Sequence, residues 1–543
     1  MKNDLILFFV VTLARLNIGG VADVDAAESY MELRVIDDQT GRGIPLVELQ
    51  TVHRVSYWTD SAGRIAYREP SREGESIFFS VRSPGYEFPQ DGFGFAGTKI
   101  VIRHGGSHEI KMTRTNIAER LYRCTGQDIY RDSDLLGREV PIAQPLGTAG
   151  VAGQDSVFAV VYRERLRWFW GDTNRLSYPL GIFRMAGATS PLPDQATAHH
   201  RQGINYDYFT SEDGFARNMA EVDNPQGVVW LDGICVMPLD DHRDVLDRDE
   251  LNRDKSDPAS GTAGDPQHPE CMIAHYSRRK GLGVQYEHGM MVYDDDRDVF
   301  VVKTQLPDDD TWRHLSNHPI VVSSGDAAFQ MCGIPFPVTR VENACSSALD
   351  PAKYESFSCV DVGADPRRSS PRRDGGGNVD WRWQTGPPTT QRDEWRWLKS
   401  GELQAEECRF LPADMEQPGR HVLPHSGTVR WNAWRRKWVM IAVEIAQDSK
   451  SPSHLGEVWY SEADSPQGPF RQAVRIVTHE KQTFYNPCHH DFFDEDGGRV
   501  IYFEGTYCNT FTDAPPTPRY DYNQVMYRLD LADPRIARVF AQQ

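Results

Sequence analysis

The chain has 543 residues, a quarter of them charged, and a formal net charge of −19. That length exceeds one ordinary hydrophobic core, so two domains are expected. The charge argues against nucleic acid as a partner, because phosphate binding needs a basic surface. Thirteen Trp, 21 Tyr and 44 Gly fit an aromatic-rich all-β protein.

The first element is an export signal. Lys2 precedes the apolar run Leu5 to Leu13, which is too short to span a bilayer, and small residues at 22–27 offer a cleavage zone. Residues 1–27 are therefore expected to be a signal peptide, and the protein to be exported to the periplasm, cell surface or medium. No later segment reaches the ~18 apolar residues of a membrane span. Nine cysteines are scattered without a CxxC pair or zinc spacing. In an exported chain Cys332, Cys345 and Cys359 are close enough in sequence to pair, and an odd count leaves at least one thiol free.

Residues 30–113 alternate in short strands. Met31 to Asp38 leads to a turn at Gln39 to Gly43, Thr59 to Tyr67 is a hairpin, and later strands lie near Ser76, Lys99 and His108. About seven short strands in so few residues predict a small β-sandwich. Residues 114–149 form a linker and ring-closing segment, with Ile117 to Tyr122 expected as a short helix.

From 150 to 540, pairs of apolar strands recur five times, the signature of a five-bladed β-propeller. Blade one is 154–193. Blade two starts near Gly227 and runs through Cys271, Glu287 and Asp298. Blade three, about 318–410, carries a polar insert from Asp365 to Thr390 expected to be an exposed loop, and a second loop is expected from Asp240 to His268. Blade four is 425–476. Blade five is 489–534, its outer strand completed by one from before blade one. The fold class is all-β: a small N-terminal β-sandwich followed by the propeller.

Innermost strands line a propeller's funnel. If the first strand of a blade runs down from the open face, its start and the end of the second strand meet at one mouth. That geometry would gather Asp155, Asp172, His425, Glu444, His489, His490 and Glu504 there. Two carboxyl groups flanking a scissile bond can hydrolyse a glycoside if one is kept protonated. Asp155 and Asp172 are candidates for base or nucleophile, or for a coupled pair. Glu504, after the apolar Val500 to Phe503, and Glu287, beside His288, are candidates for the acid, with Glu444 third. His425, His490, Asn486, Glu444 and His275 are candidate substrate contacts, with Tyr485 beside Asn486. Only one of the adjacent His489 and His490 can face the funnel.

Two resemblances sharpen this. Val35, Asp37, Thr40, Gly41, Ile44 and Pro45, with Thr59-Asp60 and Gly63 and with Ser83-Pro-Gly-Tyr86, resemble carboxypeptidase regulatory-like modules, which implies an accessory domain. Gly153-Gln-Asp155, then Trp168-Phe-Trp-Gly171-Asp172-Thr173, and the turn Ala463-Asp-Ser-Pro-Gln-Gly-Pro-Phe470 resemble five-bladed propeller glycosidases of glycoside hydrolase family 43 and of the bacterial endo-D-arabinanase type. The second resemblance implies a base or nucleophile at Asp155, a carbohydrate substrate, and no certain cofactor, though a histidine near the axis can hold a structural cation. The reading is an exported, monomeric glycoside hydrolase. The alternatives are a carbohydrate- or protein-binding propeller without catalysis, and a polysaccharide lyase using His425, His490 or Tyr507.

Overall fold

A computed structural model describes residues 30–193, 199–239, 270–445 and 455–540. The expected signal peptide and the 240–268 insert lie outside the described residues. Among those described, no helix is long and apolar enough to cross a membrane.

The N-terminal unit is a sandwich of two four-stranded sheets. One carries Met31–Asp37 between Arg64–Tyr67 and Ser107–Arg114, and the other carries Glu48–Thr51 and Ser76–Arg82 at its centre. Alternating residues of both sheets, including Leu33, Val35, Leu49, Phe79, Val81 and Ile110, close a common core. The Thr59-Asp60 turn is a structural device. Asp60 Oδ1 accepts the N–H groups of Ala62 and Arg64 at 2.9 and 3.0 Å. Its Oδ2 accepts Ser133 N–H at 2.8 Å, which ties the sandwich to the segment beyond it.

Five sheets then form the blades. Their first strands are Phe158–Tyr162, Val228–Pro238, Ile320–Ser324, Pro424–Asn432 and Thr483–His489. Successive strands within each blade pair antiparallel, for example Pro424–Asn432 with Lys437–Glu444. Trp168 and Trp170, two apart on one strand, share a face and stack at 6.3 Å in the core between blades one and five.

Four expectations are corrected. Ile117 to Tyr122 is not a helix: Glu119–Arg123 is a strand that pairs antiparallel with Asn523–Asp530 and completes blade five. All five of its residues are buried, because the sandwich covers one face and the propeller the other, so the polar–apolar alternation that marks a strand is missing. Blade five starts at Thr483 rather than 489; Asn486 and Pro487 look like breakers, but the strand absorbs them in a register shift between Tyr485 and Cys488. The insert at 365–390 is not wholly a loop, since Arg382–Gln384 adds a fifth strand to blade three. A helix follows at Gln391–Ser400, capped by Thr390 and Asp393 and closed by left-handed Gly401. Finally, the disulfide joins Cys271 to Cys345, tying blade two to blade three, while Cys332 and Cys359 are free.

Arg120 on the ring-closing strand is a buried polar tie between the two units. Almost fully buried, it donates to Pro45 O and Pro84 O at 3.2 Å each and to Ser83 Oγ. Leu46 and Trp58 of the sandwich pack into the core of blades four and five, and Tyr520 OH donates to Thr59 O at 2.6 Å. Arg120→Met keeps the volume but strands two buried acceptors, Pro45 O and Ser83 Oγ, and the part-buried Pro84 O. It should lower stability by about 2–3 kcal/mol, read as a reduced urea midpoint at constant slope.

Candidate functional site

All five blades send the residues at the start of their first strands to one cavity of about 920 Å³. Asp155 and Ser156 come from blade one, Trp230 and Asp232 from blade two, Asn317 and His318 from blade three, His425 and Ser426 from blade four, and Tyr485 and Asn486 from blade five. In blades two, four and five the first strand carries a register shift there, at Asp232/Cys235, Pro424/Gly427 and Tyr485/Cys488. Such bulges turn a strand's side chains out of strict alternation, which lets neighbours such as His425 and Ser426 both line one wall. Ser156, Asn317 and Asn486 adopt left-handed backbone at φ 49°, 53° and 50°. Asn tolerates that conformation because its short amide bonds locally. Asn317 then bridges blades: its N–H donates to Asp232 Oδ1 and its Nδ2 to Gly427 O, both at 2.6 Å.

Asp155 and Asp172 meet on the blade-one wall. Gly171 N–H donates to Asp155 O at 2.8 Å and Asp155 N–H to Asp172 O at 3.3 Å. A Cβ on Gly171 would overlap Asp155 Oδ1, so the missing side chain is what admits the carboxylate. Tyr485 OH donates to Asp155 Oδ2 at 2.8 Å, and Trp230 Nε1 to Asp172 Oδ1 at 2.9 Å. Burial, and then the Asp172 charge, push Asp155 up to about 7, despite hydrogen bonds from Tyr485 and Tyr522. Burial also raises Asp172 and Asp232. The site therefore holds a neighbouring carboxyl pair, with two further carboxyls, Asp232 and Asp310, on the cavity lining.

Blade two adds histidines. Asp232 pairs in register with His275, and His275 with Met290, which puts His288 on the same face two residues along. His314, from the segment after the last long strand of that blade, stacks on His275 at 3.8 Å. Burial, reinforced by the neighbouring imidazoles, lowers His275 well below its ordinary value. Asp232 and His314 were not among the residues singled out from the sequence. Asp232 was legible in principle as a carboxyl five residues into a first strand; His314 lies in irregular chain with no periodic signal.

The other sequence candidates divide plainly. Asp155, Asp172, His275, His425 and Asn486 line the cavity; Glu287, Glu444, His490 and Glu504 do not. Glu287 pairs with Arg278 at 3.0 Å. Glu444 pairs with Arg420 at 2.6 Å, and burial lifts it to about 7. His489 ends the first strand of blade five and His490 follows it, so neither opens the strand and both sit away from the mouth. His489 bonds Asp494 at 2.8 Å. Glu504 stands opposite Cys488 in mid-strand and, wholly buried, pairs with His490 at 2.8 Å. Burial opposes the His490 charge, but Cys488 and Glu504 outweigh it and raise the imidazole to about 10. Tyr507 is buried against Thr517 at 3.0 Å.

No protein-family model matches the chain, and no curated protein matches it. Among solved structures it is similar to a Bifidobacterium bifidum protein assigned as an exo-β-1,3-galactanase, at 11% identity and TM-score 0.35 over 76% of this chain and 94% of that one. An exo-1,5-α-L-arabinanase from a bovine ruminal metagenomic library follows at 9% and 0.32 over 70% and 93%. An exo-β-1,3-galactanase from Phanerochaete chrysosporium stands at 8% and 0.33 over 76% and 65%.

Two variants separate the wall of the cavity from the inter-blade core. Gly171→Ala should displace the Asp155 carboxyl; retained thermal stability with changed Asp155 titration by carboxyl NMR is the expected pair of results. Glu504→Gln removes one partner of a buried ion pair and should cost about 3–5 kcal/mol in denaturant unfolding. Wild-type stability in Glu504→Gln would show that the pair does not support the fold.

Proposed function

We propose that the protein is a glycoside hydrolase whose funnel binds a glycan and whose acid–base pair is Asp155 and Asp172. The observation that carries this reading is the pair itself: two neighbouring carboxyl groups on one wall of a large cavity, one of them pushed up to about 7. A carboxyl that stays protonated near neutrality can give a proton to a glycosidic oxygen. Burial raises Asp172 too, but the Trp230 N–H that anchors it favours its charged form, and it is assigned the base or nucleophile role. Trp230, Tyr485, Phe511 and Tyr522 also line the cavity and offer flat faces for sugar rings, while Asn486, Ser426 and His425 supply polar groups for hydroxyls. Glu504 and Glu287, the acids favoured from sequence, lie off this wall, and the proposed acid moves to Asp155 accordingly. An extracellular setting for the proposed enzyme agrees with the Cys271–Cys345 disulfide.

A lyase is the second reading. Of its three base candidates only His425 lines the cavity. Purified protein screened on plant, algal and bacterial polysaccharides separates the outcomes: new reducing ends alone indicate hydrolysis, ultraviolet-absorbing unsaturated ends indicate elimination, and glycan binding without either indicates a lectin-like propeller.

Asp155→Asn should lower turnover on the substrate so identified by about a hundredfold or more. If Asp155 is the acid, activity should fall as pH rises through about 7, where it ionises. Asp172→Asn removes the charge that helps raise it, so the alkaline limb of any residual activity should move to lower pH. The stability effect has a definite sign. The folded-state pKa lies above the unfolded value, so the folded carboxyl loses relative stability as pH climbs from about 4 to about 7. Asp155→Asn should therefore raise the melting temperature more at pH 8 than at pH 4.

A further inference from the structure

We propose that His275, His288 and His314 form a binding site for a borderline first-row divalent ion, zinc above all, in the blade-two wall of the funnel. Their nitrogens converge within 4.8 Å of one another, and two of the three residues are buried. The hydrogen bonds around them fix which nitrogens are free. His288 Nε2 lies 2.8 Å from Pro307 O and His314 Nδ1 lies 2.8 Å from Leu315 O. A carbonyl oxygen only accepts, so each of these nitrogens carries the proton. His288 Nδ1 and His314 Nε2 are then unprotonated. His275 Nε2 is 3.1 Å from His288 Nδ1. One proton on His275 Nε2 can satisfy one of those unprotonated nitrogens but not both.

A cation satisfies these three nitrogens at once and leaves the His275 proton on Nδ1, which is buried and makes no hydrogen bond. The backbone carbonyls behind His288 and His314 are then the outer partners that hold metal-binding imidazoles in one tautomer and orientation. Tetrahedral zinc with bonds of about 2.0–2.1 Å sets its nitrogen ligands roughly 3.3 Å apart. The His275–His288 pair already has that spacing at 3.1 Å, whereas His314, stacked on His275 at 3.8 Å, has to turn its ring edge toward the ion. Three neutral imidazoles without thiolate favour zinc and its neighbours over calcium or magnesium, which take oxygen ligands. All three histidines line the cavity, so a three-histidine ion keeps a fourth position for water or a sugar oxygen, the open arrangement of a zinc site that meets ligands.

The site draws on none of the carboxyl groups assigned to hydrolysis, so its test is independent of that reading. Full-length protein is stripped with a chelator, exchanged with Zn2+ or Co2+, and freed of excess ion. Elemental analysis should give one ion per chain, Co2+ should show the visible absorption of a tetrahedral site, and Zn2+ should raise the melting temperature. His275→Gln and His314→Gln should each weaken Zn2+ binding in titration calorimetry at least roughly a hundredfold, beyond the 10–100-fold that loss of an outer partner costs. Asp155→Asn should bind Zn2+ as the wild type does, whatever happens to its turnover. Folded wild-type protein that retains no ion, or histidine variants that retain it at wild-type affinity, would overturn the proposal and leave a hydrogen-bonded imidazole cluster in its place.

Discussion

The molecule depends on one strand. A propeller is a ring of sheets, and an open ring leaves its first and last blades with unpaired backbone and an uncovered apolar face. Glu119–Arg123 closes it by pairing with the last strand of blade five before the chain enters blade one. The seam is reinforced at the funnel, where Ser156 N–H donates to Thr506 Oγ1 at 3.0 Å and Gln524 Nε2 to Gln154 O at 3.1 Å. These bonds tie blade five to the residues beside Asp155. The same strand carries Arg120, which holds the sandwich. Ring closure, domain docking and the position of the candidate acid are thus one mechanical unit.

The cavity arises from departures from regular strand geometry. An ideal innermost strand sends alternate side chains to opposite faces and offers the funnel half of its residues. Bulges in blades two, four and five, and left-handed residues in blades one, three and five, break that alternation at the mouth. Consecutive polar residues can then share the wall. The departures are held in place by bonds between blades, Asn317 to Gly427 and Asn486 Nδ2 to Ser156 Oγ at 2.7 Å among them.

Buried carboxyl groups fall into two populations. In the cavity, Asp155, Asp172 and Asp232 accept bonds from Tyr, Trp and backbone N–H groups, while Asp310 at its edge pairs with Arg313 at 3.0 Å. Those between or behind the strands find partners locally: Glu504 has His490, Glu444 has Arg420, and Glu394 accepts from the N–H groups of Arg409 and Phe410 at 2.8 Å each, although burial still lifts Glu444 and Glu394 to about 7. A cation beside a buried carboxylate stabilises it but ties up its charge. Tyr and Trp donors orient a carboxyl without fixing its protonation state.

The sequence by itself determined the architecture. Period-two apolar patterns, repeated five times after a run of shorter strands, are dictated by local chemistry, because each strand must bury one face. It also determined the blade-one pair, since Gly153-Gln-Asp155 and Gly171-Asp172 flank two well-patterned strands whose ends must meet. Only the tertiary structure decided which other polar residues join that pair. The sequence cannot show that the first strand of blade five slips past Asn486 and Pro487, and that slip carries His490 and Glu504 out of the mouth and into the core. Nor can it show that His314, far along irregular chain, folds back onto a hairpin carrying His275 and His288. Strand existence follows from contacts a few residues apart, whereas register and loop return are set by packing between blades, and the site is made of register and loop return.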